Sequence, residues 1–158
     1  MRTVCKGERI GAAAATVFDY LDDPARFGEH MGRGNWRTAG MRMRYVLDAT
    51  RGQAVGSLIR MEGLMYGLKL RVDQVVEVRD PPRRKVWTTL PGARLLAISS
   101  YRMGFETERL AATQCRLQVF IDYEPARPWL RSIAAMYARW CVAQVLSDAI
   151  GRFGRLEP

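Results

Sequence analysis

Polar and apolar residues trade places at almost every step from Met41 to Tyr123, and this alternation constrains the chain more than any other feature. Met41, Met43, Tyr45 and Leu47 alternate with Arg42, Arg44 and Val46, the period-two pattern of a half-buried strand. Val55, Ser57, Ile59 and Met61 share one side of the next run, and Arg60 and Glu62 the other. The longest run sets Leu68, Leu70, Val72, Gln74, Val76 and Val78 against Lys69, Arg71, Asp73, Glu77 and Arg79. Asp80-Pro81-Pro82 ends it, since proline cannot continue a central strand. Lys85–Leu90 is a short β-rich run closed by Pro91-Gly92. Residues 95–108 and 113–123 alternate again, with Tyr101, Met103 and Phe105, then Cys115, Leu117, Val119, Ile121 and Tyr123, on the apolar side. Val4–Ile10 makes a first strand. Seven strands with mostly tight connections predict an antiparallel sheet with one wet face.

After Pro125 the period changes. From about Arg127 to Phe153 apolar residues recur at helical spacing. Trp129, Ile133, Met136, Tyr137 and Trp140 form one stripe; Ala143, Leu146, Ile150 and Phe153 form a second, rotated from the first. One long helix is expected, with a different neighbour for each half. Near the other end, FDYLDDPARFGEHM interrupts a helical pattern with Asp-Asp-Pro. The residue before proline avoids the α conformation, so a first helix stops near Leu21 or Asp22. Asp23 then caps a second helix that opens on Pro24, with Gly32 as its end. Two stubs meet at a corner, with Val17, Phe18, Leu21 and Phe27 turned to one core.

A length of 158 residues suits one domain, 1–158, with a substantial core, and 48% apolar with 26% charged residues suits a globular chain. No apolar stretch reaches the length of a membrane span, and Glu8 and Arg9 interrupt the N-terminal region before any signal-like apolar segment. Cys5, Cys115 and Cys141 form no closely spaced pair, which predicts reduced core thiols and a cytoplasmic location. The net charge of +9 raises nucleic acid or an anionic surface as partners. However, 22 of the 25 basic residues are arginines scattered along the chain, with Arg42/Arg44 and Arg83-Arg84-Lys85 the densest groups. No basic stripe is interleaved with stacking aromatics, so a solvated basic surface is expected, without nucleic-acid binding.

The order strand, two short helices, six strands, long helix is that of the α+β helix-grip fold. The sequence resembles the START-like (SRPBCC) superfamily, which includes polyketide cyclases, coenzyme Q-binding proteins, lipid-transfer domains and the birch pollen allergen family. The resemblance rests on the Ala12–Leu21 run ending VFDYL, on Asp23-Pro24-Ala25-Arg26-Phe27, on Gly56-Ser57, on VVEVRDPPRRKVW, and on Tyr101-Arg102-Met103-Gly104-Phe105-Glu106. It covers nearly the whole chain, and its motifs mark scaffold rather than chemistry. It implies a curved sheet gripping the long helix, with a cavity between them and the short helices supporting one end.

Within that frame the alternation points to a binder more than an enzyme. The strand carboxylates Glu62, Asp73, Glu77, Glu106, Glu108 and Asp122 all fall in the solvent phase; a bulge at Gly104 would be needed to turn Glu106 inward. Inward polar groups are mild: Tyr45, Ser57, Gln74, Ser99, Tyr101, Cys115 and Tyr123. No catalytic residue is assigned and no cofactor is called for. One histidine, His30, and no clustered cysteines argue against zinc or non-haem iron. His30 suits a helix end or, beside Trp36, a cavity rim. The expected ligand wall is Met43, Tyr45, Ile59, Met61, Leu70, Val72, Tyr101, Met103, Leu117, Val119, Met136 and Trp140, around a pocket of about a few hundred Å³. The expected ligand is a hydrophobic small molecule such as a lipid, quinone or polyketide-like ring system. A cyclase or dehydratase and a basic module docking a membrane or protein are the alternatives, and a homodimer stays open. Glu62-Gly63-Leu64-Met65-Tyr66-Gly67 puts large apolar groups where a polar turn is expected, as a folded-back hairpin or a lip over the cavity mouth.

Overall fold

In a computed structural model, residues 1–28, 42–65 and 67–157 are described. The wet and dry phases of the strands build one seven-stranded antiparallel sheet in the order β1-β7-β6-β5-β4-β3-β2. Its strands are β1 (Arg2–Ile10), β2 (Arg42–Leu47), β3 (Leu58–Met65), β4 (Leu68–Asp80), β5 (Arg84–Thr89), β6 (Ile98–Ala111) and β7 (Gln114–Pro125). Helices α1 (Ala14–Asp22) and α2 (Pro24–Phe27) follow β1, and α3 (Arg131–Phe153) follows β7. This is the helix-grip architecture.

The wet face is held by charge pairs set directly opposite each other across neighbouring strands. Arg44 faces Glu62, Arg60 faces Asp73, Arg84 faces Glu106 and Arg116 faces Glu108, each as an ion pair between register partners. Opposed cross-strand charges favour this register. Much of the scattered arginine is therefore spent on the sheet. Gly104 introduces no bulge: β5, β6 and β7 stay in register around it. A Cβ there would come 2.5 Å from the Lys85 carbonyl oxygen, and the Phe120 ring covers the gap. Glu106 consequently keeps to the wet face.

A register shift occurs elsewhere, between Val76 and Val78 of β4. One extra residue flips the side-chain phase. Arg79, expected on the wet face, is carried inward opposite Lys85, which lies on the same face of β5 as buried Trp87.

The corner forms as expected at its start. Asp23 accepts a hydrogen bond from the Ala25 amide at 3.0 Å, with Pro24 in the first helical turn. It ends earlier than expected: Gly28, not Gly32, caps α2. Val17, Phe18, Leu21 and Phe27 are all buried. Phe105 packs on Phe18 at 5.4 Å and on Phe27 at 5.9 Å, and Trp87 meets Phe27 edge-on at 4.6 Å. Each fully buried ring of this kind contributes about 1.5–3 kcal/mol.

The long helix departs most from expectation. Pro128 opens a single 3-10 turn, Pro128–Leu130, and α3 starts only at Arg131. Its buried face is Ala134, Ala138, Cys141, Val142, Val145, Leu146 and Ala149, while Trp129, Ile133 and Met136 of the first stripe project into solvent. Small residues let the helix lie close on the sheet, and the larger apolar residues are left outside. Cys115 and Cys141 are buried, but Cys5 is exposed on β1, contrary to the expectation of three core thiols.

Candidate functional site

Between the corner, the sheet and α3 lies an enclosed cavity of about 50 Å³. The corner supplies Leu21, Pro24, Phe27 and Gly28, and the sheet supplies Tyr45, Ile59, Met61, Gln74, Trp87 and Met103 among others. Leu95 closes it from the connection between β5 and β6, and Tyr137 and Cys141 close it from the helix. The volume is well below the expected few hundred Å³, because methionine, leucine and tyrosine side chains occupy the space between sheet and helix.

Of the twelve wall residues expected from the sequence, Tyr45, Ile59, Met61, Tyr101 and Met103 reach the cavity. Met43, Leu70 and Val72 form a small cluster with Met61, against which Tyr45, Tyr101, Leu95 and Tyr137 pack; they back the wall rather than line it. Leu117 and Val119 lie in the main core on β7, which reaches the cavity only further along, at Ile121, and do not line it. Trp140 packs against that core from the helix. Met136 is 65% exposed, because the alanine face of α3 points the opposite way. His30, Trp36, Met41 and Tyr66 lie outside the described residues.

Three tyrosine hydroxyls give the apolar cavity its polar character. The Gln74 side-chain amide donates to the Tyr101 hydroxyl oxygen and also contacts the Met61 sulfur at 3.6 Å. Tyr101 thus has its acceptor satisfied and its own O–H left to donate. Tyr137 hydrogen-bonds Cys141 one helical turn on. Tyr45 reaches across to the corner, where a methyl on Gly28 would fall on its hydroxyl. Burial raises the pKa of all three tyrosines above the ordinary phenol value. Burial likewise pushes the Cys141 thiol up to about 12. At neutral pH these groups are uncharged donors, suited to a carbonyl or phenol oxygen rather than to proton abstraction.

Below the cavity is an ionic cluster that sequence reading missed. The Lys85 ammonium, 1% exposed, donates to Asp22 Oδ1 at 2.8 Å and to the Asp22 backbone carbonyl at 2.5 Å. The Arg79 guanidinium donates to the same carboxylate at 2.8 and 3.1 Å. Burial alone would raise the Asp22 pKa, but the hydrogen bonds from Arg79 and Lys85 outweigh it and hold the carboxyl below its ordinary value. Burial lowers the Lys85 pKa, against the pull of Asp22. Lys85 was legible in one respect: it stands two residues before inward Trp87. Among the described residues no three His, Cys, Asp or Glu side chains gather as a metal site.

A sheet wrapped around a long helix, with a corner of two short helices and an enclosed cavity between them, defines a START-like helix-grip domain. Within that superfamily the chain belongs to the family described as polyketide cyclase/dehydrase and lipid transport, whose model matches residues 1–156. No curated protein matches the sequence at a significant level. Solved structures share the fold at low identity. One is the ZhuI aromatase/cyclase from Streptomyces sp. R1128, with 13% identity, 96% of this chain and 92% of that chain covered, and a TM-score of 0.71. Another is a solution structure from Thermobifida fusca, at 17%, 99%, 96% and 0.70 in the same order. A third is norcoclaurine synthase from Thalictrum flavum in complex with dopamine and hydroxybenzaldehyde, at 14%, 96%, 84% and 0.66.

Proposed function

We propose that this chain binds a small hydrophobic molecule, of lipid, quinone or polyketide-like type, in the cavity between the sheet and α3. The apolar cavity carries this reading, with the Tyr101 O–H at its wall given no acceptor among the described residues. At about 50 Å³ the space holds little more than a water or a methyl group, so a ring-sized ligand has to enlarge it. Met61 and Met103 are the side chains suited to give way, being unbranched and deformable. The ligand's apolar body would replace them against Ile59 and Trp87, and an oxygen on it would accept from Tyr101.

Native mass spectrometry of freshly purified protein tests the reading directly, with co-purified apolar mass as the expected result. Binding of the fluorescent probe N-phenyl-1-naphthylamine gives a second readout, which Met103→Trp should weaken by filling the space. Absence of both bound mass and probe binding would overturn the proposal.

The cyclase or dehydratase reading is favoured by a different observation: three protonated hydroxyls in one apolar wall. Such groups can polarise a carbonyl and position a reactive chain, though among the cavity-lining residues no carboxylate or histidine supplies a base. Tyr101→Phe separates the two readings. Loss of turnover of a polyketide-like substrate with probe binding retained would favour the enzyme.

A further inference from the structure

Among the described residues, most of the exposed large apolar side chains lie at one end of the sheet. Strand register places the β3–β4 hairpin, the β5–β6 connection and the β7–α3 junction together at the same end of the sheet. Large apolar side chains project from all three: Leu64 and Leu68 from the hairpin, Leu96 from the connection, and Trp129, Ile133 and Met136 from the helix entry. Trp129 is 78% exposed, an unusual placement for the largest apolar side chain. Apart from the N-terminal Met1, the remaining exposed large apolar residues, Val46, Val55 and Leu58, lie toward the other end of the sheet. A contiguous apolar surface rimmed by polar groups marks an interaction site.

Among the described residues, the charge left without an ion-pair partner around this face is positive. Arg2, Lys69, Arg94, Arg127, Arg131 and Arg139 are exposed there, and none has a carboxylate partner among the described residues. The neighbouring carboxylates are already engaged: Glu62 by Arg44, Asp73 by Arg60 and Arg71, and Glu124 by the N-terminal ammonium. Along the sheet Arg44, Arg60, Arg84 and Arg116 are each matched to an acid, and although Arg9 and Arg109 at the far end are not, only here do unmatched cations stand beside a group of exposed large apolar side chains among the described residues.

We infer that this end of the molecule docks on the interfacial region of an anionic lipid bilayer. Six unpaired cations beside aliphatic and indole side chains are complementary to acidic headgroups above an acyl layer. A second copy of the chain fits poorly, because a two-fold contact would bring the same unpaired cations face to face. Nucleic acid would satisfy the charge but has no use for protruding leucine, isoleucine and methionine. The face also lies over one end of the cavity. Leu95 and Tyr137 line the cavity, while their chain neighbours Leu96 and Met136 point outward. Docking itself does not depend on what the cavity holds, so its failure would leave the binding proposal intact.

The test is flotation of the full chain with vesicles of phosphatidylcholine alone and of phosphatidylcholine mixed with phosphatidylglycerol. The expected result is binding to the mixed vesicles, weakened by salt and accompanied by a blue shift in tryptophan emission. Trp129→Ala/Ile133→Ser/Met136→Ser and, separately, Arg131→Glu/Arg139→Glu should each reduce it by about tenfold or more. All five positions are exposed, and wild-type thermal melting would show that folding is kept. No flotation at low salt, equal binding to neutral vesicles, or unchanged binding in both variants overturns the inference. So does a concentration-dependent dimer that both variants abolish, which would assign the face to a second copy.

Discussion

The Asp22 carboxylate sits where the end of α1 meets β4 and β5, and it hydrogen-bonds both inward cations, Arg79 and Lys85. Removing its charge leaves the Lys85 ammonium buried without a counter-ion, and breaking a buried pair from one side is costly. Asp22→Asn should therefore destabilise the fold by about 3 kcal/mol, read from urea or thermal unfolding. Adding Lys85→Met should recover part of that loss, because the stranded charge is then gone; a double variant no more stable than Asp22→Asn would count against the clamp. The pH dependence has a definite sign. The folded Asp22 carboxyl has its pKa below 3.8, so stability from its pairing is present above that value and is lost as pH falls through the folded pKa. Asp48 and Asp73 are lowered too, Asp48 chiefly by the Leu58 amide and Asp73 chiefly by Arg60. Asp22→Asn should thus make the acid limb of an unfolding-versus-pH curve shallower without removing it. At the opposite wall, Gly28→Ala should destabilise by about 1–3 kcal/mol through overpacking against Tyr45, with Tyr45→Phe in the same background recovering part of the loss in melting temperature.

Among the elements, α3 shows how far hydrophobic pattern alone can be read. A stripe built on Trp129, Ile133, Met136 and Tyr137 follows the largest apolar residues, whereas the helix buries Ala134, Ala138, Val145 and Ala149. Where a helix must lie close to a sheet, small size decides which face goes inward. The strands were far more legible, because each has one face in water and its charges report that face. Their phase misled at the Val76–Val78 bulge, which no glycine or proline announces and which hid the inward turn of Arg79, and at the start of β6, where a register shift between Ile98 and Ser100 leaves Ile98 buried and Ser99, expected inward, exposed. Tyr45, Gln74 and Tyr101 could be found as inward polar groups from alternation, but the corner residues of the cavity wall required knowing how far α2 runs. The helix reading has a direct check: Ala138→Leu should cost about 1–3 kcal/mol in an unfolding experiment, while Met136→Ala should stay within about 0.5 kcal/mol of wild type. Equal losses would mean that the helix is rotated from the arrangement described.

For the whole molecule, the cavity and the ionic cluster meet at Lys85, which lines the cavity while its ammonium is held by Asp22. The lining phenols and thiol stay protonated across the neutral range, since burial raises every one of them that is shifted. Affinity for an uncharged apolar probe should accordingly be flat between about pH 5.5 and 8, where histidine is the one side chain that ordinarily titrates. A step in affinity across that interval would point to a titrating group at the wall and would favour an acid–base role. Filling the void is expected to matter more than changing its charge: Ile59→Trp should weaken probe binding more than Lys85→Met, since Lys85 reaches the cavity but its ammonium is engaged by Asp22.

The division of labour along α3 has a consequence for how such a molecule can change over generations. The turns that fasten the helix carry Ala134, Ala138, Cys141, Val145 and Ala149, while Tyr137, which lines the cavity, lies off that buried face. Anchoring and chemical preference are thus written on different positions of the same element. Substitutions at Tyr137 can reshape what fits beside the helix while its seat on the sheet is left alone. The shape of the cavity beside the helix is free to drift quickly over a frame that drifts slowly.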